Sequence, residues 1–190
     1  MSNSIQSIAQ GSILDTAQQN GTSIAESFAN AAVIILVDTS SSMCTCDSRG
    51  GQSRYDVAVE ELQGLQKTMP GKLAVLSFSS DVAFCPNGIP TFFCERTNLR
   101  RALDFARMAD VPGMRFILIS DGDPDDPMGA MEAARKFKNK IDVIYVGSEL
   151  SASGRSFLIE LSKASGGQLI TADRANELQA KTIKLLTGSR

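Results

Sequence analysis

The sequence predicts an α/β fold: a Rossmann-like, doubly wound, mostly parallel sheet with helices on both faces. Three observations carry it. Two short, wholly apolar runs, the β-branched-rich Val33-Ile34-Ile35-Leu36-Val37 and Phe116-Ile117-Leu118-Ile119, have the composition of buried parallel strands. Each gives way abruptly to an acidic residue, Asp38 and, after Ser120, Asp121. Around them, strand-like and helix-like patterns alternate along the chain, which is the order that winds a parallel sheet.

Residues 1–30 differ from the rest. They are rich in Ser, Gln, Asn and Ala, carry Asp15 and Glu26 as their only charged side chains, and scatter Ile5, Ile8, Leu14, Ile24 and Phe28 around Gly11 and Gly21. The helical signal there is weak. One reading is a partly ordered N-terminal extension that docks one or two apolar residues on the domain. The other is a partner-binding or assembly segment, because low charge with recurring Ile is not the composition of plain disorder. The domain proper is taken as 31–190.

Within it, the first strand ends at Asp38. A helix follows Gly50-Gly51, with Tyr55, Ala58, Leu62, Leu65 and Met69 at helical spacing and Pro70-Gly71 as its stop. Residues 72–79 read as a strand. Ser80-Asp81 then turns into a short run, Val82-Ala83-Phe84, which reads as an edge strand. Thr97-Asn98-Leu99 opens the second helix, with Thr97 as N-cap or first-turn residue and Leu99, Ala102, Leu103, Ala106 and Ala109 on its inner face. After the strand at 114–120, Ala130, Met131, Ala134 and Phe137 mark a third helix, and 141–146 another strand. Phe157, Leu158, Leu161 and Ala164 mark a fourth helix that Ser165-Gly166-Gly167 stops. A last strand at 168–171 precedes a final helix with Leu178, Thr182, Leu185 and Leu186 on one face. There is no internal repeat.

Composition narrows the functional classes. The chain has 190 residues, 43% of them hydrophobic, enough for one domain with a full core. A net charge of −2 gives no nucleic-acid footprint. No apolar run is long enough to span a bilayer. The N-terminus lacks a basic stretch followed by an apolar one, so a cytoplasmic location is the expectation. The sequence contains no histidine, which excludes Ser-His-Asp catalysis, histidine-bearing zinc sites and a histidine pH switch.

The candidate site lies where the strands end. Asp38, Ser40 and Ser42 follow the first strand at alternate positions, Thr97 stands at a helix start, and Asp121 follows the later strand. In open α/β sheets, ligands bind at these carboxyl ends. Carboxylates and hydroxyls offer only oxygen donors, which suit a hard divalent cation: Mg²⁺, with Mn²⁺ or Ca²⁺ as alternatives.

This constellation resembles the von Willebrand factor type A (VWA) domain with its metal ion-dependent adhesion site (MIDAS). The family pattern is Asp-x-Ser-x-Ser, then Thr, then Asp, and Asp38-Thr39-Ser40-Ser41-Ser42, Thr97 and Asp121 supply every element over about residues 31–187. Ser41 stands where members commonly have glycine, at a position that is not a ligand. The resemblance implies a six-stranded sheet with one antiparallel edge strand, Val82-Ala83-Phe84. It implies Ser40, Ser42 and Thr97 as hydroxyl ligands, and Asp38 and Asp121 as direct or water-mediated ones. It implies a divalent-cation-dependent adaptor module, not an enzyme, whose metal is completed by an Asp or Glu of a protein partner. Intracellular members often act as adaptors, some alongside AAA+ ATPases or in multi-protein assemblies.

Competing readings stay beside it. A metal-dependent hydrolase or phosphatase could use the same aspartates, but Ser40 stands where an aspartate-nucleophile phosphatase needs a second acid, and there is no phosphate-cradling Gly-rich loop. A structural subunit could leave the metal face idle. Asp121-Gly122-Asp123-Pro124-Asp125-Asp126 imitates an EF-hand loop, but Asp126 replaces the required glycine, and the acids suit a helix start better. Cys44, Cys46 and Cys94 fall near the metal face and Cys85 near the edge strand. Free thiols, one or two disulfides (a Cys46–Cys94 link among them) and a zinc site of poor spacing are the three readings.

Overall fold

The computed structural model describes residues 7–148 and 152–171. Six strands form one sheet in the order β3-β2-β1-β4-β5-β6. They are β1 (Val33–Asp38), β2 (Leu73–Phe78), β3 (Val82–Phe84), β4 (Arg115–Ser120), β5 (Ile141–Tyr145) and β6 (Leu169–Thr171). β3 alone runs antiparallel, pairing Leu76 with Phe84 and Phe78 with Val82. The two apolar runs are neighbours at the centre: Val33 pairs with Arg115 on one side and with Leu73 on the other. Every residue of β1 is buried, as continuous apolar composition requires of a strand covered on both faces.

Alternation along these strands sorts the core into two layers. Val33, Ile35, Val37, Ile117 and Ile119 face α3 (Arg54–Thr68), whose Val57, Ala58, Leu62 and Leu65 cover them together with Met43. Ile34, Leu36, Phe116 and Leu118 face the other way. They lie under α4 (Leu99–Ala106), α5 (Pro127–Arg135) and α6 (Ala152–Ala164), which contribute Ala102, Leu103, Ala130, Ala134, Leu158 and Leu161. Small alanines on the inward side of α4 and α5 let these helices approach each other and the sheet closely. The final helix expected around 178–186 lies outside the described residues.

The segment before β1 forms two short helices, α1 (Ile13–Asn20) and α2 (Ile24–Ala29). Ser12 caps α1, and Ser23 with Glu26 makes a capping box on α2. Ile13 is 1% exposed and belongs to the same apolar layer as Ile34 and Leu36. The backbone is tied down as well: Leu14 N–H donates to Pro86 O (2.8 Å) and Ala9 N–H to Asn87 O (2.9 Å). Ile13→Ala is therefore expected to destabilise the protein by about 2–5 kcal/mol, the range for emptying a buried branched side chain, as read from the midpoint of urea unfolding.

Candidate metal site

The chain leaves β1 through α3 on one face of the sheet and reaches β4 through α4 on the other. The carboxyl ends of β1 and β4 therefore bracket a crevice at a topological switch point. Asp38 is the last residue of β1, and Asp121 follows the last residue of β4. Asp38 is fully buried. The Ser40 N–H donates to its Oδ1 (2.9 Å) and the Ser120 hydroxyl to its Oδ2 (2.7 Å). Ser120 is oriented in turn by the Gly122 N–H, 3.0 Å from its Oγ. Burial, and then the neighbouring Asp121, push the Asp38 carboxyl up to about 6 despite these bonds. The Asp121 side chain is divided. Its Oδ2 accepts from Arg54 Nη1 (2.6 Å), while its buried Oδ1 has no hydrogen-bond partner among the described residues.

The hydroxyls come from two adjoining loops. After β1 a 3₁₀ turn at Ser41–Cys44 brings Ser42 back beside Ser40, with their Oγ atoms 3.1 Å apart. The loop before α4 runs alongside: Ser40 bridges Glu95 in parallel, Ser41 N–H donates to Glu95 O (2.9 Å), and Cys94 N–H donates to Thr39 O (3.1 Å). Cys94 takes a positive φ of 55° in doing so. Thr97 ends this loop, and its carbonyl accepts from Asp125 N–H (3.0 Å), which ties it to the loop after β4. One expectation is corrected here. Asn98, not Thr97, caps α4, because its side chain accepts the Arg101 N–H (3.2 Å). The Thr97 hydroxyl is thus not spent on capping. Ser42, Thr97, Glu95, Arg96, Asp123 and Asp125 line an open groove of about 620 Å³ over the crevice.

The structure thus gathers Asp38, Ser40, Ser42, Thr97 and Asp121 at one end of the sheet. Their donors are all hard oxygens, and one buried carboxylate oxygen lacks a partner, so the residues present fit a hard dication. Among the described residues no three His, Cys, Asp or Glu side chains converge as a cage. A cation here would depend on the hydroxyls and on water. The EF-hand imitation dissolves in the fold: Asp126 caps α5 by accepting from Gly129 N–H (2.8 Å). All four cysteines are free thiols, Cys44, Cys46 and Cys94 exposed and Cys85 buried beside Ser77 (3.4 Å).

Sequence reasoning missed three participants. Ser120 is adjacent to Asp121, and its alternation to the opposite side was the available signal. Arg54 and Asp47 left none, because only the fold brings Arg54 to Asp121. Gly122 is a fourth dependency. Its φ is +88°, and a Cβ there would lie 2.3 Å from the Gly154 carbonyl oxygen. Gly122→Ala is expected to lower stability by about 1–3 kcal/mol and to weaken cation binding by shifting Asp121; denaturant unfolding and metal titration read the two effects separately.

Neither a family model nor a curated protein matches the sequence. Solved structures do. An aerotolerance-related membrane protein from Bacteroides fragilis superposes with a TM-score of 0.64 at 20% identity, over 82% of this chain and 98% of that one. The manganese-loaded TRAP protein of Plasmodium vivax does so with a TM-score of 0.58 at 18% identity, over 77% and 70%. The SpRpn10 VWA domain gives a TM-score of 0.54 at 14% identity, over 74% and 87%. At these identities the likeness establishes the fold: an α/β domain of VWA architecture.

Proposed function

We propose that this protein is a divalent-cation-dependent protein-interaction module, in which Asp38, Ser40, Ser42, Thr97 and Asp121 hold the cation and a partner's Asp or Glu completes its shell. The observation that carries the proposal is the pairing of two buried aspartates, one with an unpartnered oxygen, at the strand ends whose loops supply Ser42 and Thr97 to an open groove. Two carboxylates balance a dication, and hydroxyls complete only part of an octahedral shell, so an outside carboxylate has a coordination position to take. Mg²⁺ is the first candidate, with Mn²⁺ or Ca²⁺ as alternatives; the likeness to a manganese-loaded protein supports a cation of this class. Binding supplies charge at the groove, and the residues of this chain orient it.

A module, not an enzyme, is the reading the local chemistry favours. Both oxygens of Asp38 are engaged by Ser40 and Ser120 and the side chain is fully buried, which suits a ligand better than a nucleophile. Among the described residues no helix is long and apolar enough to cross a membrane. A partner of the AAA+ class or a larger assembly is the expectation that the VWA architecture brings.

Calorimetric titration of Mg²⁺ and Mn²⁺ into chelator-stripped protein tests the cation. Capture of partners with and without chelator tests the interaction. Saturable heat and chelator-sensitive capture are expected, and flat titrations with either metal at millimolar concentration would remove the basis of the proposal.

A further inference from the structure

Arg54 is the one basic side chain bonded to the aspartate pair among the described residues. It is the first residue of α3, just after the capping Ser53, and its backbone N–H donates to Thr45 O (3.1 Å). That bond fixes the helix start against the 3₁₀ turn bearing Ser42. The guanidinium forks onto Asp47, with Nε to Oδ1 and Nη2 to Oδ2 both at 2.7 Å, and turns its remaining edge to Asp121 Oδ2 at 2.6 Å. Bidentate pairing of this kind holds the planar group in one orientation. The Arg54 side chain is 14% exposed and that of Asp121 1% exposed, whereas Asp47 is 34% exposed. The positive charge is therefore felt from the crevice side, where screening is weak, and Asp47 offsets it from the wetter side.

We propose that Arg54, anchored by Asp47, sets the strength of cation binding at this site. The inference rests on the cation-site reading above. Arg54 occupies Asp121 Oδ2, so Oδ1 is the oxygen of that side chain left free to hold a cation or its water. It also places a fixed positive charge beside a dication, which lowers affinity below what two aspartates alone would give. A cation held by these residues would stay exchangeable and open to an incoming carboxylate.

Three variants test this by Mg²⁺ and Mn²⁺ titration calorimetry, with circular dichroism and melting temperature as checks of folding. Arg54→Met is expected to tighten cation binding about ten-fold or more, because the charge is lost. Arg54→Lys keeps the charge without the fork and is expected to stay within about three-fold of the wild type. Asp47→Asn removes the offsetting charge and is expected to weaken binding several-fold. A residue that merely positions Asp121 would give the opposite order, with both Arg54 variants weaker. Unchanged or weaker binding by folded Arg54→Met overturns the proposal. If Arg54→Met does not fold, Asp47→Asn decides alone: weaker binding supports the proposal, equal or tighter binding overturns it. Absence of binding by the wild type is a different result, which removes the cation-site reading and this inference with it.

Discussion

At pH 7, Asp38→Asn is expected to melt above the chelator-stripped wild type while binding neither Mg²⁺ nor Mn²⁺. The asparagine fills the same volume, and its carbonyl oxygen can accept one of the two bonds now made to Asp38. It removes a carboxylate that burial and Asp121 disfavour in the ionised form. A rise of the Asp38 carboxyl from 3.8 to about 6 corresponds to about 3 kcal/mol of native-state penalty above that pH, and this sets the upper limit of the gain. Asp121→Asn should behave oppositely in stability and alike in binding. It weakens the partner of Arg54, and loss of one member of a largely buried ion pair typically costs about 3–5 kcal/mol. Thermal unfolding of both variants beside metal titration separates the two residues, which a ligand motif treats as equivalents. An Asp38→Asn protein that still binds cation, or that melts well below the stripped wild type, would contradict this account.

The second large effect is a pH dependence that a bound cation would abolish. Because the Asp38 carboxyl sits higher in the folded protein than in the unfolded chain, the native state holds a proton between about pH 4 and 6 that the unfolded state has released. Stability contributed by this group therefore falls as pH rises through that window, by up to about 3 kcal/mol, and is flat on either side. A dication binds the ionised form. With saturating Mg²⁺ the loss should vanish, and cation affinity should weaken as pH drops below about 6. Urea unfolding at a series of pH values, with chelator and with Mg²⁺, makes the comparison. Parallel profiles under the two conditions would mean that the cation does not touch Asp38.

Much of this could be read from residue order alone, for a physical reason. A parallel strand covered on both faces needs an uninterrupted apolar run, so Val33 to Val37 and Phe116 to Ile119 announce the sheet centre. The hydroxyl and carboxylate side chains that end those runs announce where the strands stop and the crevice begins. The antiparallel strand at Val82–Phe84 was legible through the family resemblance, since three residues carry too little periodicity. What stayed hidden depends on approach between distant segments. Arg54 and Asp121 meet only because α3 and β4 flank the same crevice. The role of Ile13 was obscured because a short, polar, alanine- and serine-rich segment contributes one large buried side chain beside the small Ala9 and Ala17, and hydrogen-bonds its backbone to the loop at 86–87. The helix cap at Asn98 was misplaced by one residue because Thr and Asn both serve as caps and stand side by side.

The central position of β1 has a consequence for the birth of the protein on the ribosome. The strand that will lie in the middle of the sheet precedes the other five described strands in the chain, so neither neighbour yet exists when it emerges. Leu73 and its strand emerge some forty residues later, and the other neighbour only with Arg115. Until then a five-residue Val/Ile/Leu stretch with both edges open travels without cover, the composition that favours intermolecular β pairing. The acidic and hydroxyl-rich turn that follows it, built for the crevice, also interrupts that sticky stretch with charge while the nascent chain waits for its partners.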